Sequence, residues 1–237
     1  RLHFQEKCRR KRCKYMILNM KKLLSLLIIM AVSLAASAQL RVFMTGDSHV
    51  SSKYYPRAVE ELLRQADPDI VFGWSAKVGA SFWSFAKNDF ALLRPAIEFD
   101  PDILIVHLGT NDSYAAKFNP DTFTTNVNNF YNKVEQELPG CQIVFVTPFV
   151  NRRKEKGKWV DNLNADMCSE ALVKFAEDHS DCHVVDNNYY HGFDFIDEKL
   201  IRNDYVHLTV DGYKTLGEQV GLGLLGLPGL ITPGSRR

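Results

Sequence analysis

Cysteine is scarce in this 237-residue sequence, and no two cysteines are spaced as a C-x-x-C pair. A zinc site is therefore not expected, because many zinc-binding folds supply their thiolates in such pairs. Only Cys141, Cys168 and Cys182 follow residue 38, so at most one disulfide can form among them. A long apolar run is missing as well. The most apolar stretch, residues 23–34, is shorter than the roughly 20 residues that cross a membrane.

The N-terminal 38 residues differ in character from the rest of the chain. Residues 1–15 are basic and patternless, and we expect them to be non-native or upstream sequence. In residues 16–38, two lysines precede the apolar run and Ala-Ser-Ala ends it, which predicts a signal peptide cleaved after Ala38. The short run disfavours the alternative, a transmembrane anchor. The predicted location is therefore periplasmic or secreted, with no stable membrane anchor after cleavage.

Residues 39–237 carry 20 basic and 27 acidic side chains, a net charge of −7. Nucleic acid is not an expected partner, because phosphate backbones are bound by basic surfaces. A length of about 199 residues suits one domain with a complete hydrophobic core. We therefore predict a single domain over residues 39–237.

Apolar strand patterns alternate with helical patterns along this domain. Strands spaced by helices of roughly 10–20 residues predict βαβ units and a parallel sheet covered on both faces. Ligands of such sheets bind at the carboxyl ends of the strands. The predicted strands are 40–45, 70–74, 103–108, 143–146 and one that contains 184–185, and the predicted helices are 56–65, a stretch within 82–99, 120–138, 159–178 and 209–225.

Polar sequence follows three of these strands and precedes the last helix. Carboxyl ends of parallel strands meet at one edge of a sheet, so we expect these segments to lie close together. They are Gly46-Asp47-Ser48-His49, Lys77-Val78-Gly79-Ala80, Gly109-Thr110-Asn111-Asp112 and Asp204-Tyr205-Val206-His207.

The first and last of these segments contain the parts of a catalytic triad. A serine becomes a strong nucleophile when a base takes its proton, and a carboxylate holds that base in the right tautomer. Ser48 lies on a predicted strand-to-helix turn, where its hydroxyl can project. Asp204 and His207 are three residues apart, so one turn can place both side chains on one side. We predict that Asp204 holds Nδ1 of His207 while Nε2 faces Ser48.

Three groups are candidate donors to the oxyanion of an acyl-transfer reaction. They are the backbone N–H of Ser48, the backbone N–H of Gly79 and the side-chain amide of Asn111. Each such donor stabilises a transition state by about 2.7–4 kcal/mol. No metal or organic cofactor is expected, because these groups supply every step of ester hydrolysis.

These four blocks, in this order and at these spacings, resemble the SGNH (GDSL-type) hydrolases over essentially all of residues 39–237. The resemblance implies an α/β fold, a flavodoxin-like three-layer α/β/α sandwich with a five-stranded parallel sheet of order 2-1-3-4-5. It also implies oxyanion donors from Ser48, Gly79 and Asn111. The sequence departs from the usual signature at His49, where leucine is common. A Gly-Asp-Ser-His form is similar to branches that remove O-acetyl groups from polysaccharides or peptidoglycan.

Several residues have a plainer alternative or a rival. Ser48 alone would suit a helix cap, and Asp47 and Asp112 suit turn or capping hydrogen bonds better than a chemical step. His107 lies within an apolar strand and is expected to be a core histidine. The rival bases are His49, His107, His183 and His191, and the rival acids are Asp186 and Asp211.

Two segments are candidates for substrate binding. Tyr114 and Phe118 follow the Asn111 block, and either line an acyl or sugar pocket or simply anchor a loop. Residues 152–158 hold five basic side chains in seven positions and follow a strand, so they should emerge on the active-site side. Arg152, Arg153 and Lys154 therefore either clamp an anionic polymer or belong to a solvated loop.

The function predicted from these features is a secreted serine esterase. Its expected substrate is a small acyl ester, most simply acetyl, on carbohydrate, because a short chain with no lid-sized insertion gives little cover to a long acyl tail. Two alternatives stay open at this point. They are a lipid ester or thioester hydrolase on the same scaffold, and a glycan-binding protein of this fold without turnover. The missing G-x-S-x-G turn argues against an α/β-hydrolase.

Overall fold

The computed structural model describes residues 39–87, 91–149, 151–187 and 199–231, all within one compact unit, Gln39–Ser235. Five strands form a parallel sheet of order β2-β1-β3-β4-β7, and two more form an antiparallel pair. The strands are β1 (Arg41–Gly46), β2 (Val71–Ala76), β3 (Ile103–His107), β4 (Gln142–Val146), β5 (Arg152–Glu155), β6 (Lys158–Asp161) and β7 (Cys182–Val185).

Helices cover both faces of the sheet. Two of them begin at side-chain caps: the Asn119 side chain accepts from the N–H of Thr122, and the Thr209 side chain accepts from the N–H of Gly212. The helices are α1 (Ser48–Ser51), α2 (Tyr54–Ala66), α3 (Phe82–Lys87), α4 (Arg94–Phe99), α5 (Thr110–Ser113), α6 (Pro120–Glu137), α7 (Leu163–Glu177) and α8 (Val210–Gly226), with a 3₁₀ turn at Ala91–Leu93.

The core is divided into two layers by the alternation of side chains along each strand. On one face, Val42 and Met44 of β1 pack with α2 and α8. On the other, Phe43 belongs with α3, α4, α6 and α7. The predicted three-layer α/β/α fold and its strand order are therefore confirmed, with β7 as the fifth strand of the sheet.

Two predictions near residue 155 were wrong. The expected basic loop is a β-hairpin, with Lys156 and Gly157 at its tip in the left-handed region (φ 48° and 84°). That backbone suits a tight two-residue hairpin turn. The helix expected from residue 159 begins instead at Leu163, because 158–161 pair with β5.

The predictions for the N-terminal segments fall on residues that the structure does not describe. The proposed leader, residues 16–38, the segment 1–15 and the domain boundary at residue 38 lie at or outside the described residues. No helix in the described part of the chain is long and apolar enough to span a bilayer. In the described part of the chain, Cys141, Cys168 and Cys182 are buried and form no disulfide with one another.

Candidate active site

The Ser48 turn is built by a close approach of two strands. A β-carbon on Gly46 would lie 2.5 Å from the carbonyl oxygen of His107, so only glycine fits there. The chain then turns at Asp47, whose carboxylate accepts from the backbone N–H of His49 at 2.9 Å. Helix α1 begins at Ser48, which follows the carboxyl end of the interior strand β1. The turn therefore presents the serine at the edge where the sequence predicted chemistry.

Ser48, His207 and Asp204 form one hydrogen-bonded chain. Nε2 of His207 is 2.9 Å from Oγ of Ser48, and Nδ1 is 2.9 Å from Oδ2 of Asp204. With Asp204 accepting from Nδ1–H, Nε2 carries the free lone pair and faces the serine hydroxyl. This arrangement can take the serine proton as the hydroxyl attacks a carbonyl.

Asp204 also fixes the backbone of the turn that carries His207. Its second oxygen, Oδ1, accepts from the N–H groups of Val206 and His207 at 3.0 and 2.8 Å. Partial burial raises the pKa of Asp204, but these hydrogen bonds outweigh it and hold the pKa below its usual value. The carboxylate therefore stays ionised at neutral pH and can stabilise a protonated His207.

Two backbone N–H groups are open beside the serine. Among the described residues, neither the N–H of Ser48 nor that of Gly79 has a protein acceptor. Gly79 has φ +78°, a conformation that other residues rarely adopt, and a β-carbon there would meet open space. The glycine is thus needed for its backbone angle and not for lack of space.

The side-chain amide of Asn111, expected to donate to the oxyanion, is already hydrogen-bonded within the protein. Its amide nitrogen, Nδ2, donates to the carbonyl oxygen of Ala80 at 2.8 Å and to Oδ2 of Asp47 at 3.1 Å. These two acceptors take both hydrogens of the amide. An oxyanion can gain Asn111 as a donor only by replacing one of them.

The carboxylate of Asp47 helps to position the side chain of Asn111. Asp47 is fully buried, and burial raises the pKa of its carboxyl to about 7. It lies between the N–H of His49 and the amide of Asn111. The prediction that Asp47 is a hydrogen-bonding residue agrees with this position.

Asp112 caps the first turn of α3 as well as the turn after β3. Its carboxylate accepts from the N–H groups of Phe82 and Trp83 at 3.1 and 3.5 Å, and the backbone of Gly109 and of Asp112 itself, in the turn after β3, also hydrogen-bonds to it. It therefore ties the first turn of α3 to the residue after Asn111. Burial raises the pKa of Asp112 to about 6.

In the described chain, none of the rival histidines occupies the position of His207 between Ser48 and Asp204. His49 is fully buried, with its ring 5.7 Å from that of His207, and burial holds its pKa well below the usual value. His107 is also buried, as expected, and contacts the Tyr55 hydroxyl at 3.0 Å. His183 contacts Gln142 at 3.0 Å. His191 lies outside the described residues.

The rival acids are engaged elsewhere. Asp186 accepts from the Thr147 hydroxyl at 3.0 Å. Asp211 is on the first turn of α8 and lies 3.7 Å from Lys214. Neither has a hydrogen bond to His207, whose Nδ1 is occupied by Asp204.

A cavity of about 470 Å³ adjoins the oxyanion side of the site, with both Gly79 and Asn111 in its wall. Its aromatic lining comes from Trp83, which is 51% exposed, and from Phe118 and Phe123. Of the two alternatives for Phe118, a pocket wall and a loop anchor, this position favours the pocket wall. Tyr114 does not line this cavity, because it faces the β5–β6 hairpin instead.

The hairpin lies beside the triad, and its two arginines are held in ion pairs. Arg152 pairs with Asp161 at 3.3 Å, and Arg153 pairs with Glu155. In the described part of the chain no carboxylate pairs with Lys154 or with the other hairpin lysines, Lys156 and Lys158. An anionic substrate could therefore pair more readily with the hairpin lysines than with Arg152 and Arg153, which already have carboxylate partners.

Within the described ranges, no three histidine, cysteine or carboxylate side chains are grouped as metal ligands would be. The expectation that the reaction needs no metal or cofactor stays a prediction.

A triad with open N–H groups beside its serine, at the carboxyl edge of a five-stranded parallel sheet, defines a serine hydrolase. The chain belongs to the GDSL-like lipase/acylhydrolase family, whose model matches residues 34–215. The predicted family and the prediction of a serine ester hydrolase are thereby confirmed. No curated protein sequence matches the chain.

Solved structures with the same fold include three esterases. A carbohydrate esterase family 3 protein from Talaromyces cellulolyticus is 18% identical, with a TM-score of 0.64 over 80% of this chain and 98% of its own. An acetyl esterase mutant with a bound acetate ion is 16% identical, with a TM-score of 0.63 over 80% and 98%. A peptidoglycan O-acetylesterase is 9% identical, with a TM-score of 0.66 over 84% and 94%. At these identities the likeness is one of fold.

Sequence reasoning missed several contacts of the site. The Ala80 carbonyl that accepts from Asn111, and the hairpin residue Trp159, carry no local signal. Tyr205 lies within the Asp204–His207 segment, but its left-handed backbone (φ 55°) is visible only in the structure. Tertiary contacts between distant segments create all three features.

Asn111→Ala is expected to lower kcat about 10²–10³-fold with little change in KM, if its amide meets charge that develops only in the transition state. Steady-state hydrolysis of ethyl acetate by pH titration measures both constants. Asn164→Ala is a suitable control, since in the described part of the chain the Asn164 side chain donates to the Ser113 carbonyl oxygen at 2.9 Å and not to the Asp47 carboxylate or the Ala80 carbonyl. An effect confined to KM would make Asn111 a ground-state binding residue.

Proposed function

We propose that this protein hydrolyses small acyl esters of carbohydrate, acetyl esters above all, through an acyl-enzyme at Ser48. His207 takes the Ser48 proton as Oγ attacks the ester carbonyl, and the tetrahedral intermediate forms. The imidazolium then gives that proton to the leaving alcohol as the ester C–O bond breaks. Water repeats the sequence on the acyl-enzyme, releasing the carboxylic acid and restoring Ser48.

The observation that carries this proposal is the 2.9 Å contact between Nε2 of His207 and Oγ of Ser48, next to open N–H groups. The same observation argues against a glycan-binding protein without turnover, since a binding site has no need of an aligned base. A fluorophosphonate that labels Ser48 would exclude that alternative.

The choice of carbohydrate rests on four supports. The Gly-Asp-Ser-His form resembles O-acetyl-removing branches, and the structural neighbours include a carbohydrate esterase and a peptidoglycan O-acetylesterase. The proposed signal peptide, residues 16–38, would bring the enzyme to the periplasm or the exterior, where glycans are abundant. The unpaired hairpin lysines would favour an anionic glycan over a neutral one.

A specific observation favours a second candidate, a hydrolase of longer acyl esters. The cavity of about 470 Å³ beside Gly79 and Asn111 is much larger than an acetyl group requires. Pockets of roughly 300–1,000 Å³ hold ligands of drug size. We expected that a protein of this length, with no lid-sized insertion, would give little cover to a long acyl tail. This cavity weakens that expectation.

Acyl length separates the two candidates. If the proposed function holds, kcat/KM is highest for ethyl acetate and falls for ethyl butyrate and ethyl octanoate, and acetate is released from acetylated glycans. Trp83→Ala is then neutral on ethyl acetate, because the residue lies in the cavity and not in the triad. A rise in kcat/KM from two to eight carbons, lost in Trp83→Ala, would instead establish the longer acyl substrate.

A further inference from the structure

The β5–β6 hairpin is held rigidly across one side of the active site. At its base, Nδ2 of Asn162 donates to Oδ1 of Asn151 and to Oγ of Ser113, and both asparagines are buried. The Asn162 N–H also donates to the Asn151 carbonyl at 2.8 Å. Buried amide hydrogen bonds of this kind fix the orientation of a hairpin, which distinguishes it from a solvated loop.

The hairpin joins the two blocks that carry the site's chemistry. The Tyr114 hydroxyl, three residues after Asn111, donates to the carbonyl oxygen of Arg152 at 2.6 Å. The N–H of Arg152 donates to the carbonyl oxygen of Tyr205, two residues before His207, at 3.2 Å. The hairpin therefore has a defined position relative to His207.

Aromatic rings line this junction. Trp159 of β6 packs on Tyr205 with ring centroids 5.0 Å apart, and the Arg152 guanidinium lies 5.3 Å from the centroid of the Tyr205 ring. Even so, Trp159 remains 39% exposed. Tyr205 adopts a left-handed backbone, which is costly for a residue other than glycine and is concentrated at functional sites.

The chemistry of the triad decides which part of a substrate meets these rings. His207 must give its proton to the leaving oxygen, so the alcohol portion of the ester lies on the His207 side. The carbonyl oxygen points to the N–H groups of Ser48 and Gly79. Tyr205 belongs to the His207 turn, so the alcohol portion is directed toward Tyr205 and its neighbour Trp159.

We propose that Trp159 and Tyr205 form a subsite that stacks a sugar ring of the alcohol portion of the ester. A pyranose has an apolar face of C–H groups, which packs on the electron-rich face of an aromatic ring while its hydroxyls stay in water. Lys154, whose Nζ lies 5.8 Å from the Trp159 centroid, leaves this platform positively charged. The inference rests on the proposed function and specifies where the sugar binds.

Trp159→Ala tests the subsite, because Trp159 has no contact with Ser48, His207 or Asp204 among the contacts described. The substrates are glucose pentaacetate and ethyl acetate, which share the acetyl group and differ in the alcohol. A p-nitrophenyl ester is unsuitable, since its aromatic leaving group can itself stack on Trp159. Trp74→Ala is the control, because Trp74 is similarly exposed (37%) but lies on the edge strand β2.

The expected result is a loss of about tenfold in kcat/KM for glucose pentaacetate, mainly through KM, with ethyl acetate hydrolysis unchanged. Trp159→Phe should retain most of the activity, because it keeps an aromatic face. The ratio of ethyl octanoate to ethyl acetate hydrolysis should not change in Trp159→Ala, since the acyl group lies on the other side. Thermal unfolding shows that each variant is folded.

Three results would overturn the subsite. They are equal losses on both acetates, which would mean that the hairpin acts on the triad; a changed acyl-length ratio, which would make Trp159 part of an acyl pocket; and full activity of Trp159→Ala on glucose pentaacetate. If the proposed function itself is wrong, the unaltered enzyme shows no preference for glucose pentaacetate over ethyl acetate.

Discussion

Ser48→Ala is expected to lower kcat for ethyl acetate by about 10⁴-fold or more while leaving the fold intact. The variant loses the only nucleophile in contact with His207 in the described chain, and the open N–H groups alone leave little catalysis. The side chain lies on a surface turn, so thermal unfolding should barely change. Initial rates by pH titration, together with the melting temperature, measure both effects.

A neighbouring serine provides the control for this experiment. Ser51 is in the same short helix and donates to the Asp47 carbonyl oxygen at 3.1 Å, away from His207. Ser51→Ala should therefore keep near-normal kcat. If Ser48→Ala retained a tenth of the original kcat, the nucleophile would have to be another residue.

His207→Ala is the second variant with a very large expected effect, again about 10⁴-fold or more in kcat. Without the imidazole, Ser48 keeps its proton at neutral pH and the leaving alcohol has no acid. Asp204→Asn should be less damaging, because the base remains and loses only its orientation and charge stabilisation.

His183→Ala is the matched control for the histidine. This rival base is half-buried near the start of β7, bonded to Gln142, and its loss should leave kcat unchanged. Near-normal activity of His207→Ala, or a collapse of activity in His183→Ala, would contradict the assigned base.

Much of the fold follows from local sequence. The five sheet strands are largely apolar runs of four to six residues, and β1, β3 and β4 are buried almost throughout; such runs are recognisable without a structure. The cap at Asn119 and the start of α8 at Thr209 are local as well. The parallel order could be predicted only through the family resemblance, because strand patterns alone do not specify neighbours.

The site was less completely predictable, for physical reasons. The triad residues could be recognised because their residue types and spacing are themselves the chemical signal. The capping of α3 by Asp112 could not be predicted, since its partners Phe82 and Trp83 are 30 and 29 positions away. The hairpin was mistaken for a loop because its strands are short and mostly charged, and they depend on a turn and on contacts with Tyr205.

The buried Asn151–Asn162 pair has a consequence for how this protein can change over generations. It closes the hairpin at its root, so the ten residues between the two asparagines leave and rejoin the domain at one point. Surface segments closed in this way tolerate replacement better than segments that share the core. A changed hairpin can therefore replace Trp159, the hairpin half of the proposed subsite, without rebuilding the sheet. The other half, Tyr205, lies between Asp204 and His207 and changes only together with the turn that carries the base.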